Sequence, residues 1–398
     1  MAQRGGLGRP GLRAAQRLHA LPFGVIGALL FLNVYAPQSL LPVLAREFGV
    51  SSAQVGTVIG STTLAMALFA PFAGLIADAL GRRRVTLGAF ALLLLPSLLA
   101  TQAQTLSALN LARFAQGLLI PLVMVAVSAY LAEEAPPARF AQLLTAYVTG
   151  TIVGGFAGRL LSGVAEHAGN WHLAFWLLLL TNLLGVGAAL VGMPREKHFI
   201  PQRRPREAGR ILVNHLRNPA LLLTCAVGFL ILFVLVSVFN TVTLRLAAPP
   251  YSLGSGPIGL IFAVYLLGAV VTPVTAPALA RRGPLWALQA AVLTSLAGLC
   301  LTLLTSLPLL IAGLAVAACG VFLAQAAALS AVQSSIQGGR SLANGLYNFA
   351  YYGGASVASV LAGAAYDWRG WNAVAALCMV AMLGAGWVGQ RGWRNSAA

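Results

Sequence analysis

The feature that most limits what this chain can fold into is the recurrence of apolar runs long enough to cross a bilayer, from about residue 20 to residue 390. Only 8% of the 398 residues are charged and 59% are hydrophobic, whereas soluble domains carry about 25% charged residues. So few charges cannot cover a surface that faces water. The sequence therefore excludes a soluble globule and predicts an all-α, polytopic membrane protein.

Twelve such runs, called spans 1 to 12 below, are bounded by Gly, Pro or charged residues. They lie near residues 20–44, 53–77, 85–103, 105–131, 140–165 and 172–193, and then near 219–245, 256–279, 285–305, 307–333, 341–365 and 371–390. The stretch 194–218 holds seven basic residues and is too charged to enter a bilayer. We therefore predict one six-helix bundle over 1–193, a basic cytoplasmic linker over 194–218 and a second six-helix bundle over 219–398.

The net charge of +17 would suggest nucleic acid in a soluble protein, but here it orients the spans. With the N-terminus inside, 20 of the 25 basic residues fall in cytoplasmic segments. External loops hold only Arg46, Arg245 and Arg369. We expect a multi-pass protein with both termini cytoplasmic and no nucleic-acid partner. A cleaved signal peptide over residues 1–36 is the alternative for span 1.

The two halves of the sequence repeat each other. A shift of 200 residues superposes Tyr147 on Tyr347, Gly154 on Gly354, Leu161 on Leu361, Gly163 on Gly363 and Trp171 on Trp371. In both copies small residues also recur at every fourth position, at Gly150, Gly154, Gly158 and Ser162 and at Ala350, Gly354, Ala358 and Ala362. We therefore predict a duplicated six-helix unit with two pseudo-symmetric bundles. The smooth stripes allow close helix packing, either as static contacts or as sliding surfaces of a gate.

The most specific string lies at the end of span 2, where Gly74, Asp78, Gly81, Arg82 and Arg83 fit the pattern G-x-x-x-D-x-x-G-R-R/K. This string resembles the loop signature of the major facilitator superfamily, and the twelve spans, basic linker and repeat resemble that family over nearly the whole chain. The resemblance implies the major facilitator fold, with twelve helices in two six-helix bundles. An ordinary basic loop is the alternative, although such a loop needs no carboxylate at a fixed spacing.

The resemblance assigns this string to a conformational gate on the cytoplasmic side. When that side is closed, we expect Asp78 to lie near Arg83 or near the start of span 11, Ser341 to Asn344, where free helix N–H groups can donate to it. The second half has Ala280 at the position of the carboxylate.

Two arginines fall inside the predicted spans. Arg113, Gln116 and Gly117 resemble the family's R-x-x-Q-G element, whose arginine is implicated in proton transfer. A charge at a helix centre costs at least about 2.5 kcal/mol unless it faces protein or water. Arg113 and Arg159 should therefore face the interior, as a proton relay or anion site together with Gln116, or as structural hydrogen-bond donors. No Asp, Glu or His is expected at mid-membrane.

Seven other polar residues lie on spans that line the central cavity in this family. These candidate cavity residues are Tyr35, Gln38, Asn240, Tyr265, Gln325, Asn348 and Tyr351. Helix-to-helix hydrogen bonding is the alternative role for each of them.

We predict a secondary transporter that moves a small organic solute by alternating access. The strings at 35–42 and 154–159 resemble bacterial inner-membrane efflux-type members, so proton-coupled efflux from the inner (plasma) membrane, by a monomer without cofactor or metal, is the first expectation. Uptake or facilitated diffusion of a small organic anion stays open, as does a sensor that does not transport. A membrane-embedded enzyme would need a nucleophile and base, or a metal cluster, at one depth of the spans.

The partition of basic residues yields the first testable prediction. A single cysteine placed in the linker near Arg206 should react only with a reagent added to the cytoplasmic face, and one near Ser252 only with a reagent added outside. Side-specific thiol labelling of membranes checks this. Labelling of both positions from the same face would contradict the twelve-span arrangement.

Overall fold

The computed structural model describes residues 18–197, 205–336 and 339–393, and these ranges contain helices and no strand. Residues 1–17, 198–204, 337–338 and 394–398, which belong to the predicted bundles and linker, lie outside the described residues. The α-helices are Ala20–Tyr35, Leu41–Glu47, Ser52–Leu80, Arg82–Thr101, Leu106–Glu134, Pro137–Ala168, Trp171–Gly192, Pro205–Leu216, Pro219–Ala247, Ser255–Ile261, Leu267–Leu301, Leu307–Ser334 and Arg340–Trp393, with 3₁₀ turns at Ala36–Leu40 and Phe262–Leu266.

Ten helical stretches of the described residues are long and apolar enough to cross a membrane, and two of them are double. Ser255–Leu301 and Arg340–Trp393 have 47 and 54 residues, about twice the length that a bilayer core of about 30 Å requires. Each leaves helical geometry once, at Gly283 (φ 80°) and at Arg369–Gly370. Division at these residues gives twelve spans, in the predicted order. The predicted all-helical, two-bundle membrane fold is confirmed.

The twelve spans define two faces of the molecule. The linker side carries the turns at Gly81 and Gly283, the linker and the start of span 11 at Arg340. The far side carries the turns at the other ends of the spans, including the turn at Arg369–Gly370. Gly81 has φ +97°, a conformation that residues with a Cβ rarely adopt, and it divides span 2 from span 3.

Equivalent helices of the two halves pack in the same way. A Cβ added to Gly154 of span 5 would collide with the backbone oxygen of Ala28 in span 1. A Cβ added to Gly354 of span 11 would collide with the backbone oxygen of Phe229 in span 7. The 200-residue repeat in the sequence is thus a repeat in packing, because both glycines let two helix backbones touch.

The contact between the halves repeats as well. Gly163 of span 5 lies against the backbone of Ser255 at the start of span 8, and Gly363 of span 11 lies against that of Ser52 at the start of span 2. Spans 5 and 8 and spans 11 and 2 are therefore exchanged by one pseudo-two-fold axis, the relation that a duplicated unit produces.

The linker contains a helix that was not predicted. Pro205–Leu216 is strongly amphipathic, although the stretch was expected only to be polar and basic. The His215 imidazole Nε2 lies 3.2 Å from the backbone oxygen of Gly339, and the Asn218 amide donates to the oxygen of Ser335 at 2.9 Å. The linker was predicted from its charge density alone, so the apolar period of 3.6 residues within it was not considered. The apolar face of this helix lies against the loop between spans 10 and 11.

These glycine contacts predict a difference between two substitutions. Gly154→Ala should lower the melting temperature, because the methyl group meets the Ala28 backbone, and overpacking costs about 1–3 kcal/mol. Gly187→Ala is the control, since a Cβ on that exposed span 6 glycine meets nothing within 4 Å. Thermal unfolding of the purified variants measures the difference. Equal melting temperatures would mean that spans 1 and 5 need no backbone contact here.

Candidate functional site

A cavity of about 390 Å³ lies between the two halves. Its walls come from spans 1, 4, 5, 7, 8, 10 and 11, and the lining residues are Phe31, Tyr35, Met124, Val148, Thr151, Ile152, Gly155, Arg159, Leu232, Leu235, Tyr265, Thr272, Phe322, Gln325, Ala326, Leu329, Asn348, Tyr351 and Tyr352. The volume is within the range of pockets that hold small organic ligands. Arg159 is the one formally charged side chain among these lining residues.

The far side of the cavity is sealed by a chain of hydrogen bonds that crosses between the halves. Arg159 Nε donates to Gln38 Oε1 at 2.6 Å, and Gln38 Nε2 donates to Asn240 Oδ1 at 2.6 Å. Asn240 Nδ2 donates to Ser359 Oγ at 3.3 Å. Arg159 and Ser359 are equivalent under the 200-residue shift, so the chain follows the pseudo-symmetry of the molecule from end to end.

Glycines reinforce this seal. A Cβ on Gly56 of span 2 would collide with the backbone oxygen of Ser359 in span 11. A Cβ on Gly259 of span 8 would lie 2.8 Å from the backbone oxygen of Arg159 in span 5. No room for a solute remains between these backbones, so the far side is closed.

The linker side of the cavity is open. Val148 of span 5 and Leu329 of span 10 line the cavity, yet they are 47% and 42% exposed. Span 8 has buried residues up to Gly268, but none between 269 and 286. Access to the cavity is therefore from the side that carries the linker.

Arg159 is surrounded by aromatic rings at the far-side end of the cavity. Its guanidinium carbon is 4.3 Å from the ring centroid of Tyr265, 4.8 Å from that of Phe262 and 4.9 Å from that of Tyr35. Its Nη1 donates to the backbone oxygen of Gly155 at 2.5 Å. The faces of aromatic rings attract a cation, and this attraction offsets part of the cost of burying the charge.

Arg113 is equally buried but lies away from the cavity. Its Nη1 donates to Gln116 Oε1 at 2.5 Å and its Nη2 to the backbone oxygen of Val34 at 2.7 Å, where span 1 changes from an α-helix to a 3₁₀ turn. Gln116 and Asn182 both donate to Ser97 Oγ. This network joins spans 1, 3, 4 and 6 inside the first half, so the structure does not bring Arg113 or Gln116 to the site of Arg159.

The gate string forms an ion-pair cluster on the linker side. Arg82 Nη2 lies 2.5 Å from Asp78 Oδ1 and 2.8 Å from Glu133 Oε1. Arg83 Nε donates instead to the backbone oxygen of Met193 at 2.5 Å. In this structure, whose linker side is open, Asp78 pairs with Arg82. Its contact with Arg83 or with the start of span 11 when the linker side is closed stays a prediction. Gly74, one turn earlier, does face span 11, since its Cβ would lie 2.8 Å from Ser341 Oγ.

Five of the seven polar cavity candidates line the cavity: Tyr35, Tyr265, Gln325, Asn348 and Tyr351. Gln38 and Asn240 belong to the seal instead. The Tyr347 hydroxyl fixes Gln325 by donating to its Oε1 at 2.9 Å. Sequence reasoning missed Met124, Thr151, Thr272 and Tyr352, because neutral side chains on an apolar helix carry no signal that separates a cavity wall from a lipid-facing surface.

Two equivalent helical halves around a solute-sized cavity that opens to one face define a membrane transporter fold. The chain belongs to the Major Facilitator Superfamily, whose sequence model matches residues 23–255, more than half of the chain. The recognition made from the gate string is confirmed.

Curated relatives and solved structures agree with this membership. The chain is 32% identical over 371 residues to the inner membrane transport protein YnfM of Escherichia coli strain K12, covering 92% of this chain and 88% of YnfM. It is 27% identical to YybF of Bacillus subtilis strain 168, an uncharacterized transporter of the same type, covering 92% and 91%. In fold it is similar to a variant of the nucleoside transporter NupG, with a TM-score of 0.79 at 12% identity, covering 94% of this chain and 100% of that one.

Proposed function

We propose that the protein is a secondary transporter that carries a small organic solute across the inner (plasma) membrane by alternating access. The observation that carries this proposal is the cavity between the halves, sealed on the far side and open on the linker side. Residues 1–193 and 219–398 are the two bodies that would rock about this cavity, joined by the linker 194–218. The positive-inside rule assigns the linker side, and both termini, to the cytoplasm.

Export by exchange for protons is the first candidate for direction and coupling. It is supported by the two strings that resemble efflux-type members, since they meet at the bond between Gln38 and Arg159. The cavity lining contains no carboxylate or histidine among the described residues. A coupling proton would therefore travel on the solute or on the linker-side cluster of Asp78 and Glu133.

Uptake or facilitated diffusion of a small organic anion is the second candidate. The observation that favours it is the same lining, in which Arg159 supplies a positive charge that no lining carboxylate balances. Facilitated diffusion needs no titrating group in the cavity. A ligand sensor that keeps the transporter fold would bind a solute without moving it.

The transport proposal predicts solute flux that depends on opening of the far side. Solutes that raise the melting temperature in a screen of drugs, sugars and organic acids are tested for flux in proteoliposomes with an imposed pH gradient. Accumulation that a protonophore abolishes would support proton coupling, and equilibration without accumulation would support facilitated diffusion. Binding without flux would contradict transport and favour the sensor.

A second test locks the far-side seal with a disulfide. A Cβ on Gly60 would lie 3.2 Å from Cβ of Ser359, close to the separation of about 3.5–4.5 Å found in disulfides. In a chain whose four cysteines are replaced by alanine, Gly60→Cys with Ser359→Cys should block flux when oxidised and restore it when reduced. Equal flux in both states would show that the far side need not open.

A further inference from the structure

The two buried arginines form a natural comparison within the chain. Each donates to one glutamine side chain and to one backbone oxygen, and Arg113 and Arg159 are 0% and 1% exposed. They differ in position, because Arg159 lines the cavity and Arg113 does not. They also differ in connection, since the chain from Arg159 reaches the second half through Gln38, whereas the network of Arg113 stays inside the first half.

Arg159 has donors to spare. A guanidinium has five N–H groups in a planar fork, and bonds to Gln38 and Gly155 occupy one on Nε and one on Nη1. Within the described part of the chain, Nη2 has no hydrogen-bond partner. A carboxylate or sulfonate matches such a fork with two parallel bonds.

The rest of the cavity indicates what the remainder of such an anion must be. Six of its lining residues are aromatic, and the polar ones besides Arg159 are neutral amides and hydroxyls. A second anionic group would find no cation there, and a cation would meet Arg159 as a like charge. The lining therefore suits one negative charge on a compact, ring-bearing body.

We propose that the cavity binds a small organic monoanion with an aromatic or similarly apolar body, whose anionic group accepts hydrogen bonds from the free Nη2 and from Nε of Arg159 and so competes with Gln38 for Nε. This rests on the transport function proposed above. As the anion accepts hydrogen bonds from the guanidinium, the bond from Nε to Gln38 Oε1 weakens, and Gln38 then holds Asn240 less firmly. Binding thereby favours opening of the far side, because a ligand shifts an equilibrium toward the state that it binds more tightly.

The test uses 2-naphthoate and its uncharged amide, 2-naphthamide, with purified protein in detergent. Wild-type protein should bind the acid at least about tenfold more tightly than the amide, because a charge-assisted hydrogen bond contributes an affinity difference of that size. Arg159→Gln should abolish that preference. Arg113→Gln is the control and should keep it. Any of three results would overturn the proposal. Wild-type protein could bind the two probes equally, the preference for the acid could survive Arg159→Gln, or the preference could be lost equally in both variants.

A distance measurement tests the coupling. Spin labels on cysteines at Gln104 and Ser306, exposed far-side positions in different halves, report separation of the halves. The acid should raise the long-distance population in the wild-type background and not in Arg159→Gln, and the amide should raise it in neither. Acid binding without a distance change would refute competition with Gln38. These measurements need no flux, so a protein that binds the acid and fails to transport it would contradict only the transport function.

Spans 2 and 11 pack against each other as an antiparallel pair. Each carries Gly-x-x-x-Asp near its C-terminal end, Gly74 with Asp78 on span 2 and Gly363 with Asp367 on span 11. In both cases the glycine lies against the beginning of the other span, at Ser341 or at Ser52. The pair is thus symmetric, with one motif at each face of the membrane.

The two aspartates are in different states. Asp367 Oδ1 and Oδ2 accept hydrogen bonds from the backbone N–H groups of Ser52 and Ala53, both at 3.2 Å. These are the first residues of span 2, whose helix dipole favours a negative charge there. Asp78 at the other end pairs with Arg82. Asp367, which is bonded to the start of the opposite span, is on the closed face. Asp78, which pairs with Arg82 instead, is on the open face.

We infer that Asp367 is the far-side latch of the transporter, and that it alternates with the linker-side gate role that the family resemblance implies for Asp78. Asp367 stabilises the observed state, since its contacts with span 2 are lost when the far side opens. Asp78 does the reverse by engaging span 11 when the linker side closes. At the position equivalent to Asp367 the first half has His167, which makes no hydrogen bond across the contact of spans 5 and 8 within the described residues.

The spin-label pair at Gln104 and Ser306 also tests the latches. Asp367→Asn should raise the long-distance population about tenfold relative to the short one, as expected for loss of a charge-assisted hydrogen bond. Asp78→Asn should not raise it. Glu47→Gln is the control, because Glu47 is another exposed far-side carboxylate, without a hydrogen bond in the described chain. Equal behaviour of Asp367→Asn and Glu47→Gln, or the same direction for both aspartates, would overturn the inference.

A second variant removes a donor and leaves the aspartate in place. Ser52→Pro deletes one N–H at the first position of a helix, where proline is well tolerated, and the preceding Ser51 has the extended backbone (ψ 167°) that proline requires. It should shift the distances in the same direction as Asp367→Asn. A fully folded Ser52→Pro protein with wild-type distances would refute the latch even if Asp367→Asn fails to fold.

Discussion

Direct contact between helix backbones is the interaction on which the rest of the structure depends. In a bilayer, apolar side chains gain little by leaving lipid, so helices associate where small residues let their backbones touch. Gly154 and Gly354 make such contacts inside the halves, and Gly56 and Gly363 make them between the halves. The first kind is expected to persist during transport. In the proposed alternating-access cycle the second kind would break and re-form, and contacts without interlocking side chains can separate without repacking a core.

Polar side chains add specificity to these contacts, because a polar group buried among helices needs a partner. The chain from Arg159 to Ser359 and the network from Arg113 to Asn182 both meet this need, yet with different consequences. The first joins groups of the two halves that would move apart on opening of the seal, and in the proposed mechanism it makes the seal responsive to what the cavity holds. The second ties four helices of one half together, which suits a body that rocks as a unit.

Much of this architecture can be predicted from the sequence, because length and hydropathy determine spans and because the repeat is direct. The fold follows from patterns of that kind, whereas the family and the five lining residues were predicted from the resemblance that the gate string carries. The linker helix Pro205–Leu216 could not be foreseen from charge density, and the separate fates of Arg113 and Arg159 depend on which way each side chain leaves its helix. Nor does any local pattern show that Gln38 meets Asn240, since they are 202 positions apart in the chain and pair only across the pseudo-two-fold axis.

Arg159 and Ser359 occupy equivalent positions in the two halves, but only one of them carries a charge. In a symmetric dimer of identical six-helix units, an arginine at this position would occur twice, at the two ends of one short hydrogen-bonded chain. Two guanidinium groups so close in a medium of low dielectric would repel each other and hold the far side apart. A closed far side with a single cation in the cavity therefore requires the two halves to differ at this one position, which two identical subunits could not do.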